Sequence, residues 1–175
     1  MGAEEKRITA LDMRIAVSVL ICGLTATVLD HFGVNFSFGT MKLEIVQKMT
    51  SCIACLLCCQ ENLPASRKAS INRLIITAIG GLTALAVILI DQAAANEWLM
   101  PLMVAAGVLL TLYLCKAAGV PYINARIGGV TFVLVACTLP GTARIWYGVF
   151  RLVSTMYAVL VVMAVTWMTQ KISSR

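Results

Sequence analysis

Long uncharged apolar runs, separated by short polar or glycine- and proline-containing breaks, recur along the whole chain. A run of about 20 mainly apolar residues is enough to cross a bilayer as a helix. The pattern therefore predicts an all-α, polytopic membrane protein with six transmembrane helices, over about 12–31, 41–60, 71–90, 98–115, 120–139 and 145–170. In the first, Ile15 to Leu29 carry no charge, and Arg14 can snorkel to the headgroups. Gly33, Asn35 and Gly39 mark a turn, Glu61 to Ser70 a polar loop, Asp91 to Glu97 an acidic loop, and Pro140-Gly141 another turn. The second span is the weakest, because Lys42, Glu44 and Lys48 fall in its first two turns. Glu44 and Lys48 are at i, i+4, where an ion pair forms on one helical face. Such a helix should avoid lipid, and a re-entrant path is open to it.

Composition strengthens the membrane reading. Of 175 residues, 60% are hydrophobic and 13% charged, with mean hydropathy +0.90; a soluble domain cannot build a surface from this. Six spans take roughly 120 residues, so residues 1–175 are read as one transmembrane domain. No separate soluble domain is expected, nor a cleaved secreted protein. The net charge of +6 sits at segment ends and forms no contiguous basic patch, so nucleic acid is not an expected partner. Met1-Gly2 resembles a myristoylation start, but Lys6 stands where Ser or Thr is wanted.

Charge placement also orients the chain. With the N-terminus inside, Lys6, Arg7, Arg14, Arg67, Lys68, Arg73, Lys116, Lys171 and Arg175 fall on the inner side. Asp30, Lys42, Asp91, Glu97 and Arg144 fall outside. The positive-inside rule favours both termini in the cytoplasm, in a bacterial inner membrane. Two internal echoes stand out: Arg73-Leu74-Ile75-Ile76-Thr77 with Arg151-Leu152-Val153-Ser154-Thr155, and Ile79-Gly80-Gly81-Leu82-Thr83 with Ile127-Gly128-Gly129-Val130-Thr131. If they mark a duplicated three-helix unit, the odd helix count forces a 3+3 inverted repeat, a construction that places transporter sites between the halves. Short matches of this kind also arise by chance in a Leu/Val/Thr-rich chain.

Arginines inside apolar segments are the candidate chemistry. Burying one costs about 2.5–3.5 kcal/mol on insertion scales, so such charges line bundle interiors or meet a partner. Arg73, Arg126 and Arg151 are the candidates; their planar forks suit carboxylates, and the competing reading is interfacial snorkelling. Arg73, Thr77, Gly80 and Gly81 share one helical face at i, i+4, i+7 and i+8. The threonines, Thr77 and Thr155, are candidate substrate contacts. The glycine pairs Gly80-Gly81 and Gly128-Gly129 are candidate close-packing points. Seven cysteines lie almost wholly in apolar segments and read as reduced packing residues. Cys52, Cys55 and Cys59 form a helical stripe lacking the remainder of an iron–sulfur motif. His31 beside Asp30 is either a proton relay or an interfacial residue. No catalytic pair, phosphate loop, metal site or cofactor motif is legible, so an enzyme is not expected.

The stretch Gln60 to Gly81 (QENLPASRKASINRLIITAIGG), with Arg, three residues, Thr, two residues and Gly, resembles the aromatic acid exporter or fusaric acid resistance superfamily, which includes the plant aluminium-activated malate channels. Tyr147 to Ala158 (YGVFRLVSTMYA) is similar to the Arg-x3-Thr pattern of that family's last membrane helix. The resemblance implies an organic-anion exporter or channel, working as a homo-oligomer, with a dimer favoured. It places Arg73, Thr77 and Gly80, then Arg151 and Thr155, on the two motifs. Three departures are visible: the large cytosolic portion of many members is missing, Ala158 replaces the last glycine of the second motif, and the second span is unusually charged. The expected function is efflux of organic, including aromatic, carboxylates along an arginine-lined path. The alternative is an accessory membrane protein whose arginines dock a partner or anionic lipid.

Overall fold

The computed structural model describes residues 9–38, 41–94, 97–139, 141 and 143–173. The expectations resting on Met1, Gly2, Lys6, Arg7, Gly39, Pro140 and Arg175 lie outside these residues. The elements are α1 (Ala10–His31), β1 (Asn35–Phe38), β2 (Met41–Glu44), α2 (Lys48–Cys58), α3 (Leu63–Ala94), α4 (Met100–Ala117), α5 (Tyr122–Cys137) and α6 (Ala143–Ser173), with a single 3-10 turn at Glu97–Leu99. Among the described residues, four helices, α1, α3, α4 and α6, are long and apolar enough to cross a membrane. Helix α2 has 11 residues and α5 has 16. At 1.5 Å per residue they rise about 16 and 24 Å, less than the ~30 Å hydrocarbon layer.

A reciprocal cap starts α1: Thr9 N–H donates to the Asp12 carboxylate at 2.7 Å, and Asp12 N–H donates to the Thr9 hydroxyl at 3.3 Å. After α1 the chain departs from the expected second helix over 41–60. Residues 35–44 instead form an antiparallel hairpin with Phe36 opposite Leu43 and Ser37 opposite Lys42. The period-two alternation in Asn-Phe-Ser-Phe and Met-Lys-Leu-Glu is a strand signal, and a partner surface completes it. Phe36 lies with its ring centroid 4.8 Å from Trp146 and 5.4 Å from Phe150, so the hairpin covers the opening turns of α6. Leu43 is buried.

The segment from Lys48 to Glu61 nevertheless reaches from near the C-terminus of α1 to near its start. At its start Lys48 Nζ is 3.0 Å from the Asp30 carboxylate, near the C-terminus of α1. At its end, Arg14 near the start of α1 donates to the Glu61 carbonyl at 3.0 Å. The distance that helix alone cannot cover is covered by extended backbone at Cys59 (φ −75°, ψ 118°). Next to it, Gln60 N–H donates to the Ser66 hydroxyl at 2.9 Å.

The expected loop Glu61 to Ser70 is also corrected, since α3 begins at Leu63. Asn62 accepts from Ala65 N–H at 2.9 Å, and Pro64 occupies the first turn, where its missing N–H costs nothing. The Asn-Leu-Pro start signal outweighs the local polarity. At the other end Asp91 belongs to α3, not to a loop, and meets Arg144 of α6 at 3.2 Å.

Helices α3 and α6 cross antiparallel at the centre. Around them α2 packs on α6 and α5 on α3, while α1 packs on α2 and α6, and α4 on α5 and α3. The outer faces of α1 and α4 expose Leu20, Leu24, Leu102, Leu109 and Tyr113, as lipid-facing helices do. The α1–α2–α6 core is small-residue packing: Cys22, Ala54, Cys55, Cys58, Cys59, Ala158 and Val162, with Cys22 and Cys55 sulfurs 3.4 Å apart. Of the seven cysteines, Cys137 is exposed, Cys52 half-buried and the other five buried. A membrane-permeant maleimide is therefore expected to modify Cys137 quickly and Cys52 slowly. Mass spectrometry showing further rapid additions to the folded protein would contradict this core.

Candidate functional site

Two cavities are walled by α2 and α5, the first also by α6 and the second also by α3. The larger, about 360 Å³, opens at the hairpin end and is lined by Lys42, Glu44, Gln47, Thr50, Tyr147 and Arg151 among others. The smaller, about 50 Å³, lies toward the opposite end against Asn72, Arg73 and Asn124. The same helical faces reach both. On α2, Thr50 and Ile53 line the first and Leu57 the second; on α5, Leu134 lines the first and Asn124 and Ile127 the second. Spacings of three, four and seven residues keep each set on one face.

Each cavity has a buried arginine in its wall. Arg151 on α6 is 5% exposed and Arg73 on α3 is 4% exposed. Arg151 donates to the Tyr147 hydroxyl at 3.3 Å, while its Nε has no partner; Arg73 Nε and Nη1 have none either. Among the described residues neither arginine is paired with a carboxylate. Buried charge without a counter-ion is costly.

At the wide cavity a helix N-terminus adds to this charge. Gln47 through Thr50, the start of α2, form part of its wall, and first-turn N–H groups have no intrahelical acceptor. They present partial positive charge, as discontinuous membrane helices do toward anionic groups. Gln47 anchors that start: its N–H donates to the Ser154 hydroxyl at 2.8 Å and its side-chain amide to the Tyr147 carbonyl at 3.2 Å, while the Thr50 hydroxyl donates to its side-chain oxygen at 2.8 Å. Glu44 sits at the mouth, accepting from Lys48 N–H at 3.1 Å, with Lys48 Nζ 3.6 Å away. The expected Glu44–Lys48 pair is thus present, but Glu44 lies before the helix and caps it.

The sequence candidates separate. Arg73 and Arg151 are both buried, each in the wall of one of the two cavities. Arg126 is not: it is exposed on α5, with its guanidinium 4.7 Å from the Tyr122 ring centroid. Thr77 and Thr155 are buried, but each spends its hydroxyl proton on its own helix, at the Arg73 and Arg151 carbonyls, both at 2.9 Å. What they leave outward is lone pairs, which suit a carboxylate poorly. Gly80 and Gly128 make the α3–α5 crossing, since a Cβ on Gly80 would lie 2.8 Å from the Gly128 carbonyl oxygen. Gly81 faces open space, and Gly129 has room for a Cβ, 3.7 Å from Val108.

Gln47, Thr50, Tyr147 and Asn124 escape sequence reasoning, because isolated polar residues at span ends carry no pattern. His31 packs edge-on to Phe32, ring centroids 6.0 Å apart, and Asp30 binds Lys48 and Asn35 instead. Among the described residues no group of three or more His, Cys, Asp or Glu could hold a metal ion.

Compared with protein families, curated proteins and solved structures, the chain matches none.

Proposed function

We propose that this protein is an integral membrane transporter or channel for organic carboxylate anions, including aromatic ones, with its path running through the two cavities of a single chain. The observation that carries the reading is the pair of buried arginines without acidic partners, Arg73 and Arg151, one on each cavity. An unpaired buried guanidinium makes sense where a passing anion supplies the counter-charge. The Arg-x3-Thr segments that resemble the aromatic acid exporter superfamily are the segments that bear these two arginines.

A 3+3 inverted repeat and six crossings belong to the same proposal. Exchanging α1, α2 and α3 for α4, α5 and α6 maps the main packing partners onto one another: α1 on α2 and α6 answers α4 on α5 and α3, and α2 on α6 answers α5 on α3. The long helices correspond, 32 residues in α3 and 31 in α6, and so do the two short ones. Arg73 and Arg151 are equivalent under this exchange, which supports a path between the halves. Association of copies then adds stability or regulation, and the path itself is complete in one protomer.

Among the described residues, Arg14, Arg67, Lys68, Arg73, Lys116, Arg126 and Lys171 gather at the end opposite the hairpin, with Asp12 and Glu61 as the acids there. We assign that end to the cytoplasm of a bacterial inner membrane. In oriented vesicles, Lys68→Cys should be labelled by an impermeant reagent from the cytoplasmic face and Lys42→Cys from the other; the reverse result would invert the assignment.

Proteoliposomes loaded with labelled benzoate or malate test the function. Release above protein-free vesicles is expected, and no release of any organic anion would sink the proposal. Glu44 places a competing carboxylate at the mouth, so Glu44→Gln should lower KM for anions by about fivefold, the scale of one screened like-charge contact. An unchanged or higher KM would show that anions do not pass Glu44. The accessory-protein alternative would instead predict function carried by surface cations, a position that Arg126 alone of the three arginines occupies.

A further inference from the structure

Arg126 and Lys116 are cations on the membrane-facing surface that the transport path leaves unused. Both are exposed, and both approach the same ring, each 4.7 Å from the Tyr122 centroid. Among the described residues neither has an acidic partner. Arg126 also heads a groove of about 430 Å³ between α4 and α5 that is otherwise apolar, lined by Val108, Leu112, Gly129, Val130 and Val133. Gly129 deepens it, because the missing side chain leaves the floor to Val108. Lys116 ends α4 and Arg126 lies in the first turns of α5, so both cations belong at the interface while the groove rises toward the membrane centre.

The geometry points to a binding site for an anionic diacyl phospholipid, its phosphate held between Lys116 and Arg126 and one acyl chain lying in the α4–α5 groove. Three features select this occupant. Two exposed cations without an acidic partner among the described residues attract an anion; an apolar trough leading from them accommodates a hydrocarbon chain; and their position at a membrane interface supplies a ligand that has both. A free phosphate would leave the trough empty. A second protein would have to bring an acid to the headgroup level of a lipid-facing surface. The site shares no charged residue with the anion path and stands whether or not the protein transports.

Native mass spectrometry of the full-length protein, released from detergent with phosphatidylglycerol and phosphatidylcholine of equal chain length, tests it. Phosphatidylglycerol should be retained preferentially. Lys116→Gln with Arg126→Gln should reduce that preference by roughly thirtyfold, about five- to sixfold per charge, while Lys116→Arg with Arg126→Lys should keep it. Val133→Phe, which fills the trough from its exposed side, should weaken phosphatidylglycerol retention with both charges intact. Glycerophosphoglycerol, the same headgroup without chains, should not compete; effective competition would overturn the acyl-chain half of the proposal. Equal retention of the two lipids by the unmodified protein would overturn the whole. If the charge-neutral variant does not fold, photoactivatable phosphatidylglycerol on the unmodified protein decides: crosslinks to α4 and α5 peptides support the site, and crosslinks confined elsewhere overturn it.

Discussion

Arg151→Met should abolish anion flux and, in the same protein, raise the temperature of unfolding. The two effects share one cause. Arg151 is 5% exposed, its Nε has no partner, and its guanidinium hydrogen bond is to a neutral group, the Tyr147 hydroxyl, at 3.3 Å. Folding therefore carries the desolvation of a charge that no carboxylate repays. Methionine fills similar volume without it, and exchanging buried charge for well-packed apolar side chains is often stabilising by about 1–4 kcal/mol. Flux should fall by about a hundredfold or more, the loss of a charge-assisted contact to the passing anion. Arg73→Met should behave alike, since Arg73 is as deeply buried and has two unpartnered nitrogens. Lysine at either position should retain part of the flux, because the charge survives while the planar fork is lost. The measurements are proteoliposome flux and thermal unfolding of each variant in detergent. A variant that loses stability and keeps its flux would show that the arginine is structural. Stability given up for a functional charge is the usual relation between a working site and its fold.

The largest expected loss of stability comes from one of two adjacent glycines. Gly80→Leu should prevent or severely impair folding, whereas Gly81→Leu should be close to neutral. A Cβ on Gly80 would stand 2.8 Å from the Gly128 carbonyl oxygen and 3.2 Å from Thr131 Cβ, while one on Gly81 meets nothing within 4 Å. The obstacle at Gly80 is backbone, which cannot swing aside as a side-chain tip can, so α3 and α5 must separate. Overpacking of this kind costs about 1–3 kcal/mol and more where the backbone is displaced. The yield of monodisperse protein and its unfolding temperature measure the contrast. Equal behaviour of the two variants would mean that α3 and α5 do not cross at Gly80. Gly107→Leu belongs to the same group, since a Cβ there would clash with the Phe132 ring, although that ring has some freedom to turn.

Gly80 and Gly81 also show how much of the site is legible in the sequence. The pair stands out as small residues at helical spacing from Arg73, and that spacing places Gly80 on the arginine's face correctly. It does not reveal which glycine meets another backbone, because a close approach involves the neighbour's position as much as its own. Arg73 and Arg151 are recognisable for a stronger reason: charge in an apolar run is costly wherever the helix packs, so the residue type and its flanking sequence suffice to mark it. Arg126 meets the same criterion and lies elsewhere. Periodicity reports depth along a helix, and whether a residue at that depth faces the bundle or the lipid depends on how the helix is rotated. Thr77 and Thr155 show a further limit, since a hydroxyl four residues after a carbonyl bonds to its own helix and is lost to a substrate.

The departures in the second segment have a related origin. Residues 41–60 contain one apolar run, Met49 to Gln60, and a charged alternating stretch before it. Hydropathy averaged over a span-sized window merges the two. The alternation is the true local signal, but a two-stranded hairpin is marginal by itself, and here Phe36 finds Trp146 and Phe150, more than a hundred residues away. The stretch Glu61 to Ser70 differs in kind: Asn62 and Pro64 are local start signals, and they outweigh the polarity that suggests a break.

Apolar run length and composition by themselves determined that this chain is helical and built for a membrane, because water cannot solvate that much hydrocarbon and lipid cannot satisfy an open backbone. They also marked Arg73 and Arg151 as costly charges. Only the tertiary structure decided that these two are buried in cavity walls while Arg126 turns outward, that α2 starts beside a cavity, and that a hairpin covers α6. Each of those outcomes depends on helix rotation and on contacts between distant segments, and a one-dimensional pattern carries no record of either.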